Sequence, residues 1–268
     1  MEQLDGRVAV ITGAGSGIGR ATARALRQAG CHLALVDVVP ERLAEVRDEL
    51  ADPARRTSLH VADVADRARM VALPDEVLAE HGAVHVLVNN AGVTVGRSFA
   101  DHSWDDLDWI LGIDLWGVIH GCKVFLPHLL RADEAHIVNL SSMAGFVAFP
   151  LQSSYSAAKC AVYGFSDALR IELAGGPVGV TSVHPGTIRT RVLADARRSD
   201  ERLGRLVEGM ERVGRPPEVV ARRIVRAIRR DRTRVRVGVD AYLMDWLHRL
   251  SPRLPGRLLA MGWRRWEG

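Results

Sequence analysis

The sequence predicts an α/β fold: a doubly wound, seven-stranded parallel sheet with helices on both faces. It is read as one domain, residues 1–240, with a C-terminal helical extension of that domain over 241–268. Three observations carry this. Short apolar runs alternate with longer stretches of helical periodicity, which calls for crossover connections and a sheet covered on both sides. A chain of 268 residues suits a single α/β domain. A glycine-rich turn, Thr12–Gly19, lies between the first apolar run and the first helical one.

Taken in order, Arg7–Thr12 (RVAVIT) reads as the first strand and Gly17–Gly30 as a helix with Ile18, Ala21, Ala25 and Leu26 on one side. His32–Asp37 is the second strand and Glu41–Leu50 the second helix. Ser58–Asp63 is the third strand, followed by a helix that Pro74 is expected to interrupt. Val84–Gly92 is near-continuously apolar, as a strand buried on both faces should be. Trp104–Leu130 reads as a long helix, Ala135–Ser142 as the fifth strand, Ser154–Leu173 as a helix and Gly179–Gly186 as the sixth strand. Loop and short helix are expected over Arg189–Val213, then a helix at Pro217–Arg230 and a seventh strand at Arg234–Asp240. The uncharged run Ala135–Ala158 is long, but its His136, Asn139, Gln152 and serines argue for a buried strand and a site loop rather than a membrane span.

Composition narrows the function classes. The N-terminus is acidic and enters a strand at once, with no basic start before an apolar run, so a cytoplasmic location is expected. Cys31, Cys122 and Cys160 have no paired spacing, so neither a disulfide framework nor a metal site is expected, and Cys160 reads as a small buried hydrophobe. Residues 1–188 hold 15 basic and 22 acidic side chains, whereas 189–268 hold 21 and 10. The basic third lacks aromatic-basic interleaving or a DNA-binding motif, so no nucleic-acid partner is expected.

Ligands of doubly wound sheets bind beyond the carboxyl ends of the strands, and the polar motifs of this chain fall there. In the Thr12–Gly19 turn, Gly13, Gly17 and Gly19 permit positive φ and close backbone approach to a pyrophosphate, which the next helix would receive on its N-terminal N–H groups. Gly15, Ser16 and Ile18 are counted with them as cofactor contacts. Asp37, ending the second strand, can accept the adenosine-ribose hydroxyls and repel a 2′-phosphate. No basic residue stands at Ser16 or Val38, so NAD is expected in preference to NADP.

The acid/base candidates are Ser142, Tyr155 and Lys159. Lys159 is one of two lysines among thirty-four arginines, which implies that a flexible point charge is needed there. Tyr155 and Lys159, at i and i+4, share a helical face. The ammonium, with an oxidised nicotinamide, should lower the phenol pKa from about 10 and let Tyr155 take or return the proton of an alcohol. Ser142 can orient the same oxygen.

With TGAGSGIG, Asp63-Val64, NNAG (Asn89–Gly92), Ser142/Tyr155/Lys159 and HPGTIRT (His184–Thr190), the chain resembles the short-chain dehydrogenase/reductase family, in its shorter-chain branch, over about residues 5–240. The resemblance implies a Rossmann-type fold and an oxidoreductase acting on alcohols or ketones. It implies that Lys159 holds the nicotinamide ribose, that Asp63 and Val64 lie near adenine, and that Asn89 to Gly92, Asn90, Ala91 and Gly92 among them, line the inner side of the cofactor. It also places Pro185, Gly186, Ile188 and Thr190 toward the carboxamide end. The family usually has asparagine where this chain has Asp114, whose main-chain carbonyl would keep the family role while its charge biases Lys159. Two alternatives stand beside this: a dinucleotide sensor without turnover, which would not need the Ser/Tyr/Lys set, and an oxidoreductase docked on a membrane surface to reach lipid-like substrates.

The substrate is expected to be a small lipophilic alcohol or ketone. Val93–Ser98 and Met143–Leu151 are mainly apolar with Arg97 the one charge, and Thr187–Val213 reads as a lid. The helices at Trp104–Leu130 and Ser154–Leu173 carry extra apolar residues: Trp109, Leu115, Trp116, Val124 and Phe125 on the first, Val162, Phe165, Leu169 and Leu173 on the second. A homodimer or homotetramer is expected through them. In 241–268, Tyr242, Leu243, Trp246, Leu247 and Leu250 share a helical face, and Trp263, Arg264, Arg265 and Trp266 follow. This segment is read first as a subunit-interface helix and second as a peripheral membrane contact.

Overall fold

The β-rich apolar run Val8–Thr12 forms β1, buried along its whole length. The computed structural model describes residues 1–190, 197–198 and 214–267. Around β1 the sheet is built from β2 (His32–Asp37), β3 (Thr57–Val61), β4 (Val86–Asn89), β6 (Ala135–Leu140), β7 (Val178–Pro185) and β9 (Arg234–Val237). Its order is β3-β2-β1-β4-β6-β7-β9, and every pairing is parallel. Val10 sits opposite Ala34 on one side and Leu87 on the other, so the chain direction of the crossovers reverses between β1 and β4. That reversal opens a crevice at the carboxyl edge.

Helices α1 (Gly17–Gln28), α2 (Pro40–Glu49), α3 (Arg67–His81), α4 (Trp104–Leu111), α5 (Gly117–Leu129), α6 (Ser153–Glu172) and α7 (Pro217–Arg229) cover the sheet. Strand alternation splits the core in two. Ala9 and Ile11 face a cluster with Leu26, Leu43 and Ile224, while Val10 faces one with Met70, Phe125 and Val162. Each fully buried side chain of this size stabilises the fold by about 1.5–3 kcal/mol.

The expected interruption at Pro74 does not occur. α3 runs through it, with Pro74 buried beside Met70, Leu73 and Val77, because losing one backbone donor costs less than giving up that apolar face. The long helix expected at Trp104–Leu130 is in fact α4 and α5 joined by a π-helical turn, Gly112–Trp116. The run Trp104–Leu129 is long and apolar enough to cross a membrane by length and composition, yet its inner face packs on β4 and α3.

Of the apolar residues assigned to a subunit face, Phe125, Val162 and Leu169 are buried against this chain's own sheet, and Leu115, Val124, Phe165 and Leu173 are partly so. Helical periodicity does not say which stripe meets the sheet; the actual register of α5 and α6 does. Trp104, Trp116 and Ile171 remain exposed. Cys160 is exposed, not buried, because the helical rotation that sends Lys159 inward turns its neighbour out.

A small second sheet, β5 (Val95–Gly96) with β8 (Arg197–Arg198), was not foreseen. Most of the lid segment expected within 187–213, namely 191–196 and 199–213, lies outside the described residues. The seventh strand ends at Val237 instead of running to Asp240, which lies in the first turn of the next helix. The extension forms α8 (Val239–Leu250) and α9 (Leu254–Glu267), with α8 against β9 and α9 folded back on α8.

Candidate active site

The glycine turn after β1 is shaped by contacts that leave no space for side chains. Gly13 and Gly17 have φ of 63° and 52°. A Cβ on Gly13 would meet Ala91 Cα at 2.8 Å, and one on Gly19 would overlap the Gly13 carbonyl oxygen. Gly19 therefore does not face the ligand space; it lets α1 close onto the turn. Asn90 Nδ2 donates to the carbonyls of Thr12 (2.9 Å) and Gly13 (3.1 Å), while Thr12 Oγ1 accepts from the Asn90 and Ala91 amides. Ser16, the N-cap of α1, makes no side-chain cap, and the first turn carries no acid. Its N–H groups and dipole thus stay available to an anion.

Asp37 lies at the end of β2. Its carboxylate accepts from Gly15 N at 2.8 Å and Val39 N at 3.1 Å, which holds it at the cleft edge with lone pairs to spare. Gly15 thus acts through Asp37. Arg42 stands beside this carboxylate in the cleft wall, a neighbour the sequence did not reveal because it comes from the first turn of α2. Asp63 and Val64 follow β3, and His120 Nδ1 meets the Val64 carbonyl at 2.9 Å, fixing that loop against α5. Asn89, expected beside the cofactor with the three residues after it, instead turns away from the cleft: it is the last residue of β4, and its side chain points into the core, where it donates to Asn139 Oδ1 at 2.9 Å.

These residues open into one cleft of about 850 Å³ at the carboxyl edge of the sheet. Gly13, Ser16, Gly17, Ile18, Asp37, Asp63, Val64, Asn90, Ala91 and Gly92 line its nucleotide half. Asp114, Ser142, Tyr155, Lys159, Pro185, Gly186, Ile188 and Thr190 line the other half. The residues fit a dinucleotide: a side-chain-free cradle and an uncapped helix end for the pyrophosphate, and a tethered carboxylate one strand over for a ribose.

Ser142, Tyr155 and Lys159 come together as the spacing predicts. Lys159 is buried on α6, with Nζ 5.6 Å from the Tyr155 ring centre. Nζ donates to the Leu140 carbonyl at 3.1 Å and pairs with Asp114 Oδ2 at 2.9 Å. Asp114 is wholly buried in the π-helical turn, and its Oδ1 accepts from Val93 N at 2.7 Å. Ser142 Oγ accepts from Ala144 N at 3.1 Å, so its own hydrogen is free to point at another oxygen, with the phenol in reach.

Without a nicotinamide, Tyr155 lies above the ordinary phenol range: burial pushes it up, the Lys159 ammonium pulls it down as expected, and the Asp114 carboxylate works against that pull. Burial also raises Asp114, against the stabilising effect of Lys159. For Lys159, burial disfavours the charge, but Asp114 and Tyr155 outweigh it and the net direction is upward. Asp114 and Lys159 are buried and Tyr155 half-buried beside them, and with the phenol protonated the three carry no net charge.

Several supporting residues were missed. His184 contacts the Ser142 carbonyl through Nδ1 at 3.1 Å, and burial lowers it to about 4, so it stays a neutral donor that holds the Ser142 strand end. Asp240 accepts from Thr187 N at 2.6 Å and fills the place a Cβ on Gly186 would need, which steers the segment after β7. Leu258, Leu259 and Trp263 of α9 form part of the cleft wall. None of these carried a local signal, since each acts across a long sequence separation.

A family model described as short chain dehydrogenase matches residues 7–201. The chain belongs to the short-chain dehydrogenase/reductase family. Among curated relatives, the "Putative oxidoreductase SadH" of Mycobacterium tuberculosis is 42% identical, over 98% of this chain and 97% of the relative. "Oxidoreductase UcpA" of Escherichia coli is 37% identical over 71% of this chain and 72% of its own. Among solved structures, a short-chain dehydrogenase/reductase of Burkholderia phymatum in complex with NAD superposes with a TM-score of 0.88 at 33% identity, covering 95% of this chain and 96% of that one. The protein is thus a short-chain dehydrogenase/reductase with an oxidoreductase's fold and a nicotinamide dinucleotide as cofactor.

Proposed function

We propose that this short-chain dehydrogenase/reductase interconverts a lipophilic secondary alcohol and its ketone, or an aldehyde and its alcohol, with NAD as the preferred cofactor. The observation that carries the substrate class is the lining beyond the Ser/Tyr/Lys set. Val93, Met143, Ala144, Phe149, Pro150 and Leu259 surround that end, and no charged side chain joins them among the described residues except the buried Asp114–Lys159 pair. Arg97, the one charge expected there, pairs with Asp106 at 3.0 Å instead. Such a surface favours apolar ligands and would leave a carboxylate or phosphate without a partner.

The dinucleotide, when bound, supplies or accepts the hydride. Ser142 donates a hydrogen bond to the substrate oxygen and orients it, while Tyr155 exchanges the proton with that oxygen. Lys159 supplies positive charge beside the phenol and can reach a ribose hydroxyl, and Asp114 keeps it protonated and in place. In reduction the phenol loses its proton to the substrate oxygen as hydride reaches the carbonyl carbon; in oxidation the phenolate takes the proton back. NAD preference rests on Asp37, whose negative charge disfavours a 2′-phosphate. A non-catalytic sensor would have no use for a buried acid/base cluster opening on an apolar cavity.

We further infer that residues 1–240 are the catalytic unit with 241–268 as its cover, that the chain works in the cytoplasm, and that it forms a homodimer or homotetramer. A screen of aliphatic and aromatic secondary alcohols and ketones against both cofactors tests the function. Turnover should appear with apolar substrates and with higher kcat/KM for NAD. Turnover confined to acidic or phosphorylated substrates would refute the substrate class.

A further inference from the structure

The face that α8 turns away from the sheet is apolar. Val239, Tyr242, Leu243, Trp246 and Leu250 recur at helical spacing and all are exposed, Trp246 by 57% and Leu250 by 61%. A stripe of aromatic and aliphatic side chains of this size is more than a soluble surface carries by chance. On α9, Leu258 and Met261 are exposed as well, and Leu258 also borders the cleft.

Arginine dominates the charges that follow the stripe, and Asp240, within it, already accepts from Thr187 N. From Trp246 to Trp266 the sequence holds five arginines and no aspartate or glutamate. Arg249, Arg253, Arg257 and Arg264 are exposed. Asp245, the carboxylate just before this stretch, is buried and already engaged by Arg236 and, at 3.0 Å, by Arg249. A second copy of this chain docked here about a two-fold axis would bring two such arginine sets together, with five arginines against Glu267 as the one carboxylate from Trp246 to Glu267. An anionic bilayer supplies what is lacking: phosphates for the guanidinium groups and an acyl boundary for the stripe.

We infer that the α8–α9 hairpin docks the protein on an anionic lipid surface and turns the mouth of the cleft toward it. The apolar stripe enters the headgroup–acyl boundary, and the arginines hold the phosphates around it. Because the exposed Leu258 also belongs to the cleft wall, docking through the hairpin puts that wall near the acyl boundary, where an apolar substrate dissolved in the bilayer can reach it. The docking itself is independent of turnover, so its test stands apart from the proposed redox reaction.

The test is flotation of the full chain with phosphatidylcholine vesicles, with and without phosphatidylglycerol. Wild-type protein should float with the anionic vesicles, with binding at least about tenfold stronger than to neutral ones, given the number of arginines near the surface. Salt near 1 M, which shortens the screening length to about 3 Å, should weaken it. Leu243→Asp with Trp246→Asp should abolish flotation while circular dichroism and the thermal midpoint stay those of wild type, because neither side chain is buried or lines the cleft. Arg253→Glu with Arg257→Glu keeps the stripe and should remove the anionic preference alone, so it decides the matter even where the first variant misfolds. Wild type that stays with the unbound fraction on anionic vesicles overturns the inference. An oligomer that Leu243→Asp/Trp246→Asp converts to monomer, without vesicle binding by wild type, assigns the stripe to a second copy and also overturns it.

Discussion

Replacing Asp114 with asparagine isolates the effect of one buried charge on the acid/base group. Asparagine can still accept from Val93 N through its carbonyl oxygen, so the shape of the turn is kept while the charge 2.9 Å from Lys159 Nζ is removed. In the native cluster Asp114, Lys159 and Tyr155 sum to no net charge when the phenol is protonated. In the variant the same cluster begins at +1 and becomes neutral on losing a proton. The first alkaline step therefore moves to lower pH, whichever of the coupled groups releases the proton. By Coulomb's law a unit charge 2.9 Å from another interacts with it by roughly 6 kcal/mol at an effective dielectric of about 20. One pH unit corresponds to about 1.4 kcal/mol, so the shift is bounded near about 4 units and should reach at least about 1. The sign follows from the structure, because Asp114 is one of the groups that hold Tyr155 above the ordinary phenol range. Carbonyl reduction needs the protonated phenol, so its kcat/KM should fall off at lower pH in the variant than in wild type. The assay is steady-state reduction across about pH 6 to 10, with a thermal melt to show that the fold is retained. An alkaline limb that stays in place, or moves up, refutes the charge argument.

Four further outcomes are expected. Tyr155→Phe should lower kcat at least about 100-fold with cofactor affinity near wild type, as read by turnover and by dinucleotide titration; retained turnover would remove Tyr155 from its role. Asp37→Ala should narrow the ratio of kcat/KM for NAD over NADP by lifting the repulsion of a 2′-phosphate, and a wild-type preference for NADP would contradict the assignment. Gly19→Ala should abolish dinucleotide binding or lower the melting temperature, since the added methyl overlaps the Gly13 carbonyl oxygen; unchanged binding and melting would show that α1 can move away at little cost. Light scattering after size exclusion should give a multiple of 29.4 kDa, and a mass at that value would mean that the faces around Trp104, Trp116 and Ile171 are left to water.

Much of the architecture was legible in the sequence because its signals are local. Strand and helix periods read directly from runs such as Val8–Thr12 and Pro217–Arg229, and the glycine turn between β1 and α1 announces itself by composition. The i, i+4 spacing of Tyr155 and Lys159 is set by helix geometry alone, so their meeting needed no tertiary knowledge. The same local logic failed at Pro74, where packing overrode a helix breaker, and at the π-helical turn, whose extra residue per turn leaves no mark in an apolar pattern.

What only the tertiary structure decided are the relations between distant segments. Asp114 reaches Lys159, His184 reaches Ser142, and Asp240 reaches Thr187, each across a gap that the strand order closes. The Tyr155 phenol is pulled down by Lys159, as its place one helical turn away implies, but burial and a carboxylate from another helix push it up, and those two influences could not be read from the local sequence. The sequence could show that Tyr242, Trp246 and Leu250 share one helical face; whether that face met sheet, solvent or a partner was open until α8 was seen resting on β9 with its apolar side outward. Periodicity determines which residues lie together on an element, but the direction that face takes is a property of the assembled fold.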